Sequence, residues 1–516
     1  MRVYNTLTQS KVEFIPREEG KVSIYVCGPT VYNYIHIGNA RCYLSFDVIK
    51  RYLKFKGFDV YHVQNFTDVD DKIINQAKKE GIPASEVAEK YSQGFIEDSK
   101  ALKFDPPDIR PKATEHIPEM IEMIQGLIDK GFAYVEDGDV YFEVGKFDEY
   151  GKLSHRKLDE MEAGARVEVD ERKRNPFDFA LWKKAKEGEP SWSSPWGDGR
   201  PGWHIECSAM SLKYLGRSFD IHGGGQDLIF PHHENELAQA ECYTAESPFV
   251  RYWLHNGFVT LTGDKMAKSV GNVVLLKDVI KKYDPMVVRM LFLTTHYRSP
   301  IDFSEEKLKE STRSYERLNN LVGNIDRVLK KREEKVSRLE PGRDVVVLKA
   351  FIENGEPEFV EAMDDDFNAP DALGGLFKAA RDINTYLASY DEFSLDELDM
   401  LQDIKELFIR LGGAVGLEFT SFLSPEDVDE EWQEERRAVM LSGLAKFAGV
   451  NVKDAGVLFK RDFPSFVKKF VDLRAAKRAE KEWQTADTIR AFLDSQDILL
   501  EDTAAGTLVR IRRLIV

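Results

Sequence analysis

Two cysteines and one histidine–glutamate pair carry side chains that bind zinc in proteins. Cys27 lies near the start of the chain, Cys207 lies far downstream, and Glu236 follows His232 by four residues. Residues four apart share one face of a helix, so His232 and Glu236 can bind the same ion. Thiolates, imidazoles and carboxylates are all zinc ligands. The four residues therefore predict a single zinc site built from distant segments.

His233 is the alternative histidine ligand. Four residues after it stands Leu237, which cannot bind a metal, so His232 is the better candidate. Taken singly, a free cysteine is more typical of a small buried apolar residue, and a histidine of a satisfied core contact. Crowding nevertheless favours a site, because half of the ten histidines lie in one short region: His204, His222, His232, His233 and His255.

Two further motifs have the composition of a nucleotide site. His36, Gly38 and Asn39 follow one predicted strand and open a helix, whose N-terminus favours negative charge. Glycine allows close backbone approach to a nucleotide, and His36 can donate to a phosphate. Far downstream, Lys265 and Lys268 lie in a glycine-bounded segment. We expect this segment to close over a triphosphate, where charge builds up as pyrophosphate leaves.

The elements that must position these residues follow a strand–helix–strand pattern. Residues 21–28 predict a buried strand, 38–57 an amphipathic helix that ends at Gly57, and 59–67 the next strand. This order predicts a right-handed crossover in a parallel sheet. Ligands of such sheets bind at the carboxyl ends of the strands, where Cys27, His36 and Thr67 would lie.

Composition excludes several classes of protein. The four cysteines are too few and too scattered for a disulfide framework, which favours a reducing compartment. The first residues have no signal-peptide pattern and no apolar run approaches the ~18 residues of a membrane span, so we expect a cytoplasmic protein. The net charge of -17 argues against a protein that coats DNA or other nucleic acid by bulk electrostatics.

One basic helical segment near the end of the chain is compatible with RNA. It contains Arg478, Trp483 and Asp487, which lie five and four residues apart. Arginine and tryptophan can stack on an unpaired base while aspartate accepts a hydrogen bond from a base edge. The alternative is that Trp483 belongs to the core of its helix.

These motifs resemble those of a known family. His36-Ile-Gly-Asn and Lys265-Met-Ala-Lys-Ser resemble the HIGH and KMSKS signatures of class I aminoacyl-tRNA synthetases. With the zinc candidates and the segments CGPT, GWHIECS, HGGG and PHHENE in the same order, the resemblance narrows to the cysteinyl-tRNA synthetases and covers essentially the whole chain. The sequence departs from the two signatures at Asn39 and Ala267, and both lysines of the second signature are kept.

The resemblance implies an α/β fold, with a Rossmann-type parallel sheet and an insertion domain, followed by a helical bundle and a small mixed C-terminal domain. The segment 425–470 is longer and less family-like than expected, and its role stays open. The implied boundaries are 1–111 and 201–255 for the two catalytic halves, 112–200 for the connective insertion, 256–312 for the KMAKS and tRNA-stem region, 313–415 for the bundle and 416–516 for the anticodon-binding domain.

The resemblance also implies an activity. L-cysteine would react with ATP to give cysteinyl-adenylate and pyrophosphate, and cysteine would then pass to the 3'-terminal adenosine of tRNA(Cys). The implied cofactors are one zinc ion per chain and Mg²⁺ with ATP, and the implied state is a monomer.

The implied roles fall on four groups of residues. Those for ATP are His36, Gly38, Asn39, His222, Gly223, Gly224, Gly225, Lys265, Lys268 and Ser269, with His36, Asn39, Lys265 and Lys268 catalytic. Those for the other ligands are Thr67, Trp203, His204 and Asp227 for cysteine, Cys27, Cys207, His232 and Glu236 for zinc, and Arg478, Trp483 and Asp487 for the anticodon.

Zinc would give the implied specificity a physical basis. A pocket that relies on size separates near-isosteres such as cysteine and serine by only about 10- to 200-fold. A thiolate binds zinc strongly at neutral pH, whereas a serine hydroxyl is too weak an acid to compete. On this hypothesis the substrate sulfur becomes an additional ligand, and Glu236 is the ligand most able to loosen.

Two rival functions share part of this pattern. A ligase of the same ancestry that joins cysteine to an amino sugar would have the zinc and ATP motifs but would lack the anticodon-binding part. A noncatalytic zinc-containing RNA-binding protein predicts degraded nucleotide motifs, whereas His36, Lys265 and Lys268 are intact.

Overall fold

The computed structural model describes residues 1–157, 172–261, 264–265, 273–330, 345–423, 425, 428–503 and 506–514. Two compact units are distinguished. The first contains Met1–Tyr315, Glu353–Phe377 and Arg410–Leu417, and the second contains Glu316–Ile352, Lys378–Ile409 and Glu418–Val516. Within the described ranges, no helix is long and apolar enough to cross a membrane.

The strands lie in several separate sheets. In chain order they are β1 Arg2–Asn5, β2 Ser10–Glu13, β3 Lys21–Val26, β4 Asp59–Gln64, β5 Ala133–Glu136, β6 Asp139–Phe142, β7 Phe179–Lys184, β8 Gly199–Pro201, β9 Phe219–Gly225, β10 Val250–Asn256, β11 Val259–Leu261, β12 Asp264–Lys265, β13 Ile301–Asp302, β14 Thr420–Leu423, β15 Ile498–Thr503 and β16 Gly506–Leu514.

The helices lie between these strands and dominate the second half of the chain. They are α1 Ile37–Phe55, α2 Asp71–Glu80, α3 Ala84–Ala101, α4 Ile117–Asp129, α5 Trp203–Leu215, α6 Glu234–Thr244, α7 Leu276–Ile280, α8 Pro285–Leu293, α9 Glu305–Lys330, α10 Val346–Asp364, α11 Ala369–Ser389, α12 Leu395–Ala414, α13 Glu430–Ala448, α14 Val452–Arg461, α15 Phe463–Ala479 and α16 Trp483–Asp494.

A four-stranded parallel sheet, in the order β10-β9-β3-β4, forms the centre of the first unit. The inner strand β3, which pairs with β9 and β4, is apolar along most of its length, and Val22, Ile24, Tyr25 and Val26 are buried. Such near-continuous apolar runs are typical of parallel strands covered on both faces. Helix α1 connects β3 to β4, so the predicted strand–helix–strand unit is confirmed. Both strands end before the predicted limits, which leaves Cys27 and Thr67 in the loops beyond them.

Helix α1 begins at the first predicted nucleotide motif. The Nδ1 atom of His36 accepts a hydrogen bond from the backbone N–H of Asn39, and Asn39 Oδ1 accepts one from the backbone N–H of His36. This reciprocal pattern is a capping box. The predicted end near Gly57 agrees with the structure, where the helix ends at Phe55 and Gly57 has a φ of +91°. Both polar side chains of the motif are therefore fixed at the helix start.

The segment between the two halves of the parallel sheet forms its own antiparallel sheet, in the order β5-β6-β7-β8. It belongs to a core that includes the fully buried Trp182 and residues of α4 and α5. In the second unit, α13–α16 and the antiparallel sheet β14-β16-β15 surround a separate core rich in phenylalanine. The parallel sheet and the mainly helical C-terminal half confirm the predicted α/β fold class.

Candidate metal and nucleotide site

The four predicted zinc ligands lie together at the carboxyl end of the parallel sheet. Cys27 follows β3, Cys207 belongs to α5, His232 lies in the irregular turn Ile229–His233, and Glu236 is in the first turn of α6. All four are buried, and their ligand atoms lie within 4.8 Å of one another. The sequence-based prediction of a shared helix face was too simple, because His232 precedes the helix.

The distances within this tetrad match a metal site. Cys27 Sγ lies 3.7 Å from Cys207 Sγ, 3.5 Å from His232 Nε2 and 3.4 Å from Glu236 Oε1. A tetrahedral zinc with its usual bond lengths has edges of about 3.3 to 3.8 Å between ligand atoms. The His232 Nε2–Glu236 Oε1 distance is shorter, at 2.8 Å, which is a hydrogen-bond length. The donor types and three of these four distances fit a zinc ion.

A second set of four shares two of these residues. It consists of Cys27, His222, His233 and Glu236, and its ligand atoms also lie within 4.8 Å of one another. His233 Nε2 is 3.3 Å from Cys27 Sγ but 4.0 Å from Glu236 Oε1. His233, the alternative ligand of the sequence analysis, thus lies in the cluster. The set with Cys207 offers two soft thiolates, which structural and substrate-binding zinc sites favour.

Further hydrogen bonds orient the cluster. His222 Nε2 lies 2.8 Å from Glu236 Oε2, and His204 Nδ1 lies 2.8 Å from His232 Nδ1. His233 Nδ1 is likewise 2.8 Å from His255 Nε2. A metal-binding imidazole almost always has its second nitrogen engaged in this way. The crowding of histidines in the sequence therefore reflects an orienting layer around the cluster.

The electrostatics of the cluster suit a cation. The hydrogen bond from the Cys27 thiol lowers the pKa of Cys207 to about 6, against the opposing effect of burial. Burial alone would raise the pKa of Glu236, but the His222 and His232 imidazoles outweigh it and hold that pKa well below its usual range. For His232, burial on its own would lower the pKa, but the Glu236 carboxylate outweighs burial and raises that pKa to about 10. Negative charge is thus held in a buried position.

The predicted cysteine-binding residues differ in their contacts with the cluster. The Trp203 ring stacks on the His232 ring, with centroids 4.2 Å apart and an interplanar angle of 20°. The Thr67 hydroxyl is buried and donates to Glu206 Oε2 at 2.7 Å. Glu206 was missed by the sequence analysis, although a carboxylate next to Cys207 was the available signal. Asp227 lies beside Gly225, and both line the cavity next to the cluster.

A cavity of about 320 Å³ adjoins the metal cluster. Cys27 and Trp203 line it together with His36, Gly38 and Asn39, the residues of the first nucleotide motif. The candidate metal site and the helix start predicted to bind phosphate therefore face one cavity.

The predicted adenosine platform is divided between the cavity and the core. Gly225 lines the cavity, and His222 is fully buried against Glu236. A Cβ atom at Gly223 would lie 2.1 Å from Phe46 Cε1, and one at Gly224 would lie 2.8 Å from His233 Cε1. These two glycines are therefore required by side-chain packing, which the sequence analysis did not foresee. Their predicted contact with ATP stays a prediction.

The backbone around the second nucleotide motif adjoins the first. Lys265 belongs to β12 and pairs with Thr260 of β11. Val259, the first residue of β11, lines the cavity. Beyond the motif, the backbone N–H of Ile37 donates to Val274 O, and that of Leu276 donates to Ile35 O. The segment after the lysine motif therefore meets the start of α1, and the strand before it lines the same cavity. Lys268 and Ser269 lie outside the described residues.

The predicted RNA-reading residues lie on two successive helices of the second unit. Arg478 is in the last turn of α15 and donates to Asp502 Oδ2 at 2.6 Å. Trp483 begins α16 and is 57% exposed, so its assignment to the helix core is wrong. Asp487 is also exposed. Their contact with a nucleic acid stays a prediction.

Known proteins match almost the whole chain. The family described as "tRNA synthetases class I (C) catalytic domain" matches residues 13–313, and the DALR domain matches 358–420. The chain is 49% identical over 506 residues to the cysteine–tRNA ligase of Carboxydothermus hydrogenoformans. The aligned region covers 98% of this chain and 99% of that relative. It is 47% identical over 513 residues to the cysteine–tRNA ligase of Geobacter sulfurreducens, and that alignment covers 99% of this chain and 100% of the relative.

Solved structures are similar in fold. The methionyl-tRNA synthetase of Mycobacterium tuberculosis in complex with methionyl-adenylate has a TM-score of 0.60 at 17% identity, over 77% of this chain and 90% of that one. A putative arginyl-tRNA synthetase of Campylobacter jejuni has a TM-score of 0.55 at 14% identity, over 76% and 92%. The near-complete relatives and the matching catalytic-domain family show that the chain belongs to the cysteine–tRNA ligase family of class I aminoacyl-tRNA synthetases.

Proposed function

We propose that this protein activates L-cysteine with ATP and transfers it to tRNA(Cys), as a cysteine–tRNA ligase. The observation that carries the proposal is the buried tetrad Cys27, Cys207, His232 and Glu236, in which Cys27 lines a cavity that the start of α1 also lines. A thiol-selective metal site and a phosphate-binding helix start within one cavity suit the joining of cysteine to a nucleotide.

In the proposed first step, a carboxylate oxygen of cysteine attacks the α-phosphorus of ATP. A new oxygen–phosphorus bond forms, and pyrophosphate leaves with the electron pair of the bond that breaks. His36 and Asn39, fixed by their capping box, present the N-terminus of α1 to the triphosphate. Lys265 and Lys268, with Gly38, Gly225 and Ser269, complete the proposed ATP site with Mg²⁺. This catalysis is mainly positioning and charge stabilisation.

The tetrad provides the proposed selection of cysteine over serine. Bound there, one zinc ion per chain would supply a preference for a thiolate over a hydroxyl. Cys207 and Glu236 hold negative charge for it, and His222 and His204 fix the orientation of Glu236 and His232. Trp203 forms the adjacent wall of the cavity, Thr67 is buried against Glu206, and Glu236 is the residue that we propose would make room for the substrate sulfur.

The proposed division of labour along the chain follows the expected boundaries. Residues 112–200 would form the connective insertion, 256–312 the KMAKS and tRNA-stem region, and 416–516 the anticodon-binding domain. The exposed Trp483 favours this assignment over the amino-sugar ligase, which needs no surface for an anticodon. The cavity beside the tetrad favours an enzyme over a noncatalytic RNA-binding protein.

The decisive test is aminoacylation of tRNA(Cys) with cysteine and serine in parallel, with zinc measured on the same sample. We expect about one zinc per chain, charging with cysteine, and no measurable charging with serine. Cysteine-dependent ATP–pyrophosphate exchange is expected without tRNA. Transfer of cysteine to an amino sugar would assign the rival ligase, and the absence of exchange would assign a noncatalytic protein.

A substitution in α16 tests the proposed RNA contact. We expect Trp483→Ala to raise the KM for tRNA(Cys) roughly 5- to 150-fold, because stacking on one base contributes about 1 to 3 kcal/mol. Cysteine-dependent ATP–pyrophosphate exchange should keep its wild-type rate. Val457→Ala, which removes another exposed apolar side chain of the same unit, is the control. An unchanged KM for tRNA in the Trp483→Ala protein would exclude Trp483 from the RNA-binding surface.

A further inference from the structure

Lys72 lies at the wall of the cavity and belongs to none of the predicted zinc, nucleotide or RNA motifs. It is the second residue of α2, whose N-cap residue Asp70 accepts a hydrogen bond from the Lys72 backbone N–H at 2.9 Å. Its Nζ atom lies 5.7 Å from the centroid of the Tyr32 ring and 5.7 Å from that of Trp203. Cation–π contacts at this distance hold the ammonium group over the two rings.

The acidic residues next to Lys72 in the sequence are engaged elsewhere. Asp68 accepts hydrogen bonds from the backbone N–H and the hydroxyl of Thr114, at 2.9 and 2.6 Å. Asp71 forms ion pairs with Lys183, at 2.8 Å, and with Arg200. Within the described part of the chain, no carboxylate forms an ion pair with Lys72. An ammonium group with acidic neighbours but no ion pair is available to an anionic ligand.

The position of this charge is distinctive. Of the described residues that line the cavity, Lys72 is the only lysine or arginine. Trp203, which contacts Lys72, also stacks on His232 of the metal tetrad. Asp227, the acidic residue that lines the cavity, would repel a carboxylate and thus cannot hold one.

We infer that Lys72 binds the carboxylate of the substrate amino acid. The inference rests on the proposed function, in which the sulfur of cysteine is held at the tetrad. Because the cysteine side chain is short, its carboxylate must then lie close to the tetrad, in the part of the cavity beside Trp203. The Lys72 ammonium group is the cation that can meet it there.

The inferred contact acts mainly before the chemical step. The carboxylate has its full negative charge in the bound substrate and loses that charge when its oxygen bonds to phosphorus. An interaction with Lys72 is therefore strongest in the ground state, and its loss should raise the KM for cysteine more than it lowers kcat. Lys72 is thus a substrate-binding residue that holds the nucleophile in place.

The test compares two ligands that differ in the carboxylate alone. Equilibrium binding of cysteine and of cysteamine, which lacks the carboxylate, is measured by calorimetry on the wild-type protein and on Lys72→Met. We expect the Kd for cysteine to rise roughly 10- to 100-fold, as for loss of one charge-assisted hydrogen bond, and that for cysteamine to stay within about twofold. Lys72→Arg should keep most of the affinity. Lys79→Met, on the same helix and exposed, is the matched control.

Each other outcome has a definite meaning. Equal changes for cysteine and cysteamine, or no change for either, would overturn the inference while leaving the proposed function intact. Unchanged cysteine binding with a raised KM for tRNA(Cys) would also overturn it, and would assign the charge to an RNA phosphate. Failure of the wild-type protein to bind cysteine would instead contradict the proposed function itself.

Discussion

The Cys207→Ser protein is expected to lose zinc and cysteine activation together. Cys207 is almost fully buried, its Sγ atom is 3.7 Å from Cys27 Sγ, and its pKa is lowered to about 6, so it supplies thiolate at neutral pH. A serine hydroxyl does not ionise there and is a poor zinc ligand. Replacing even an orienting neighbour of a metal ligand typically costs about 10- to 100-fold in metal affinity. We expect a larger loss here, with zinc below about a tenth of an ion per chain.

The measurement combines zinc analysis with cysteine-dependent ATP–pyrophosphate exchange on one preparation. Cys242→Ala is the control, because Cys242 is a buried cysteine of α6 in the adjacent core but lies outside the tetrad. It should keep both zinc and activity. A Cys207→Ser protein with full zinc content and full activity would contradict the assignment of the tetrad as a substrate-reading metal site.

Asp47→Ala is expected to lower the free energy of unfolding of the first unit by more than any of the other proposed substitutions. Asp47 on α1 accepts a hydrogen bond from Arg289 of α8 at 2.6 Å, and both side chains are buried. Its carboxylate also accepts bonds from Arg51 Nε and from the backbone N–H of Asp105. Removing it would leave the buried Arg289 guanidinium without its counter-charge. Breaking a buried ion pair from one side typically costs about 3 to 5 kcal/mol.

The effect is measured as the shift in the urea midpoint of the first unit. An exposed ion pair provides the comparison, since Glu356 pairs with Arg410 at 2.9 and 2.5 Å in the same unit but both are partly exposed to solvent. Glu356→Ala should cost less than about 1 kcal/mol. Equal shifts for the two variants would show that the Asp47–Arg289 contact is not the stabilising interaction that its burial indicates.

Local pattern was sufficient to predict the elements that position the site. Continuous apolar residues predicted β3, and helical spacing after His36 predicted α1, because each follows from neighbouring side chains. The four candidate metal ligands were chosen by their chemical type, and the fold brings them together. Zinc binds few kinds of side chain, so few residues of the sequence were candidates for its ligands.

The remaining features depend on contacts between distant segments. Nothing in the sequence places His222 against Glu236 or requires Gly223 to clear Phe46, since these contacts arise where β9 passes over α1 and α6. The role of Lys72 was invisible for the same reason. In the sequence, Lys72 looks like an ordinary solvent-exposed residue of a helix. Only the fold brings Tyr32 and Trp203 beside it.

The order of the tetrad along the chain has a consequence for biosynthesis. Cys27 leaves the ribosome long before Cys207, and the whole sheet β5-β6-β7-β8 is made between them. A nascent chain that stops within this sheet contains only Cys27 of the four tetrad residues, and one ligand cannot hold a metal on its own. Retention of zinc through purification would therefore report that synthesis has passed Glu236 and that both halves of the parallel sheet have joined.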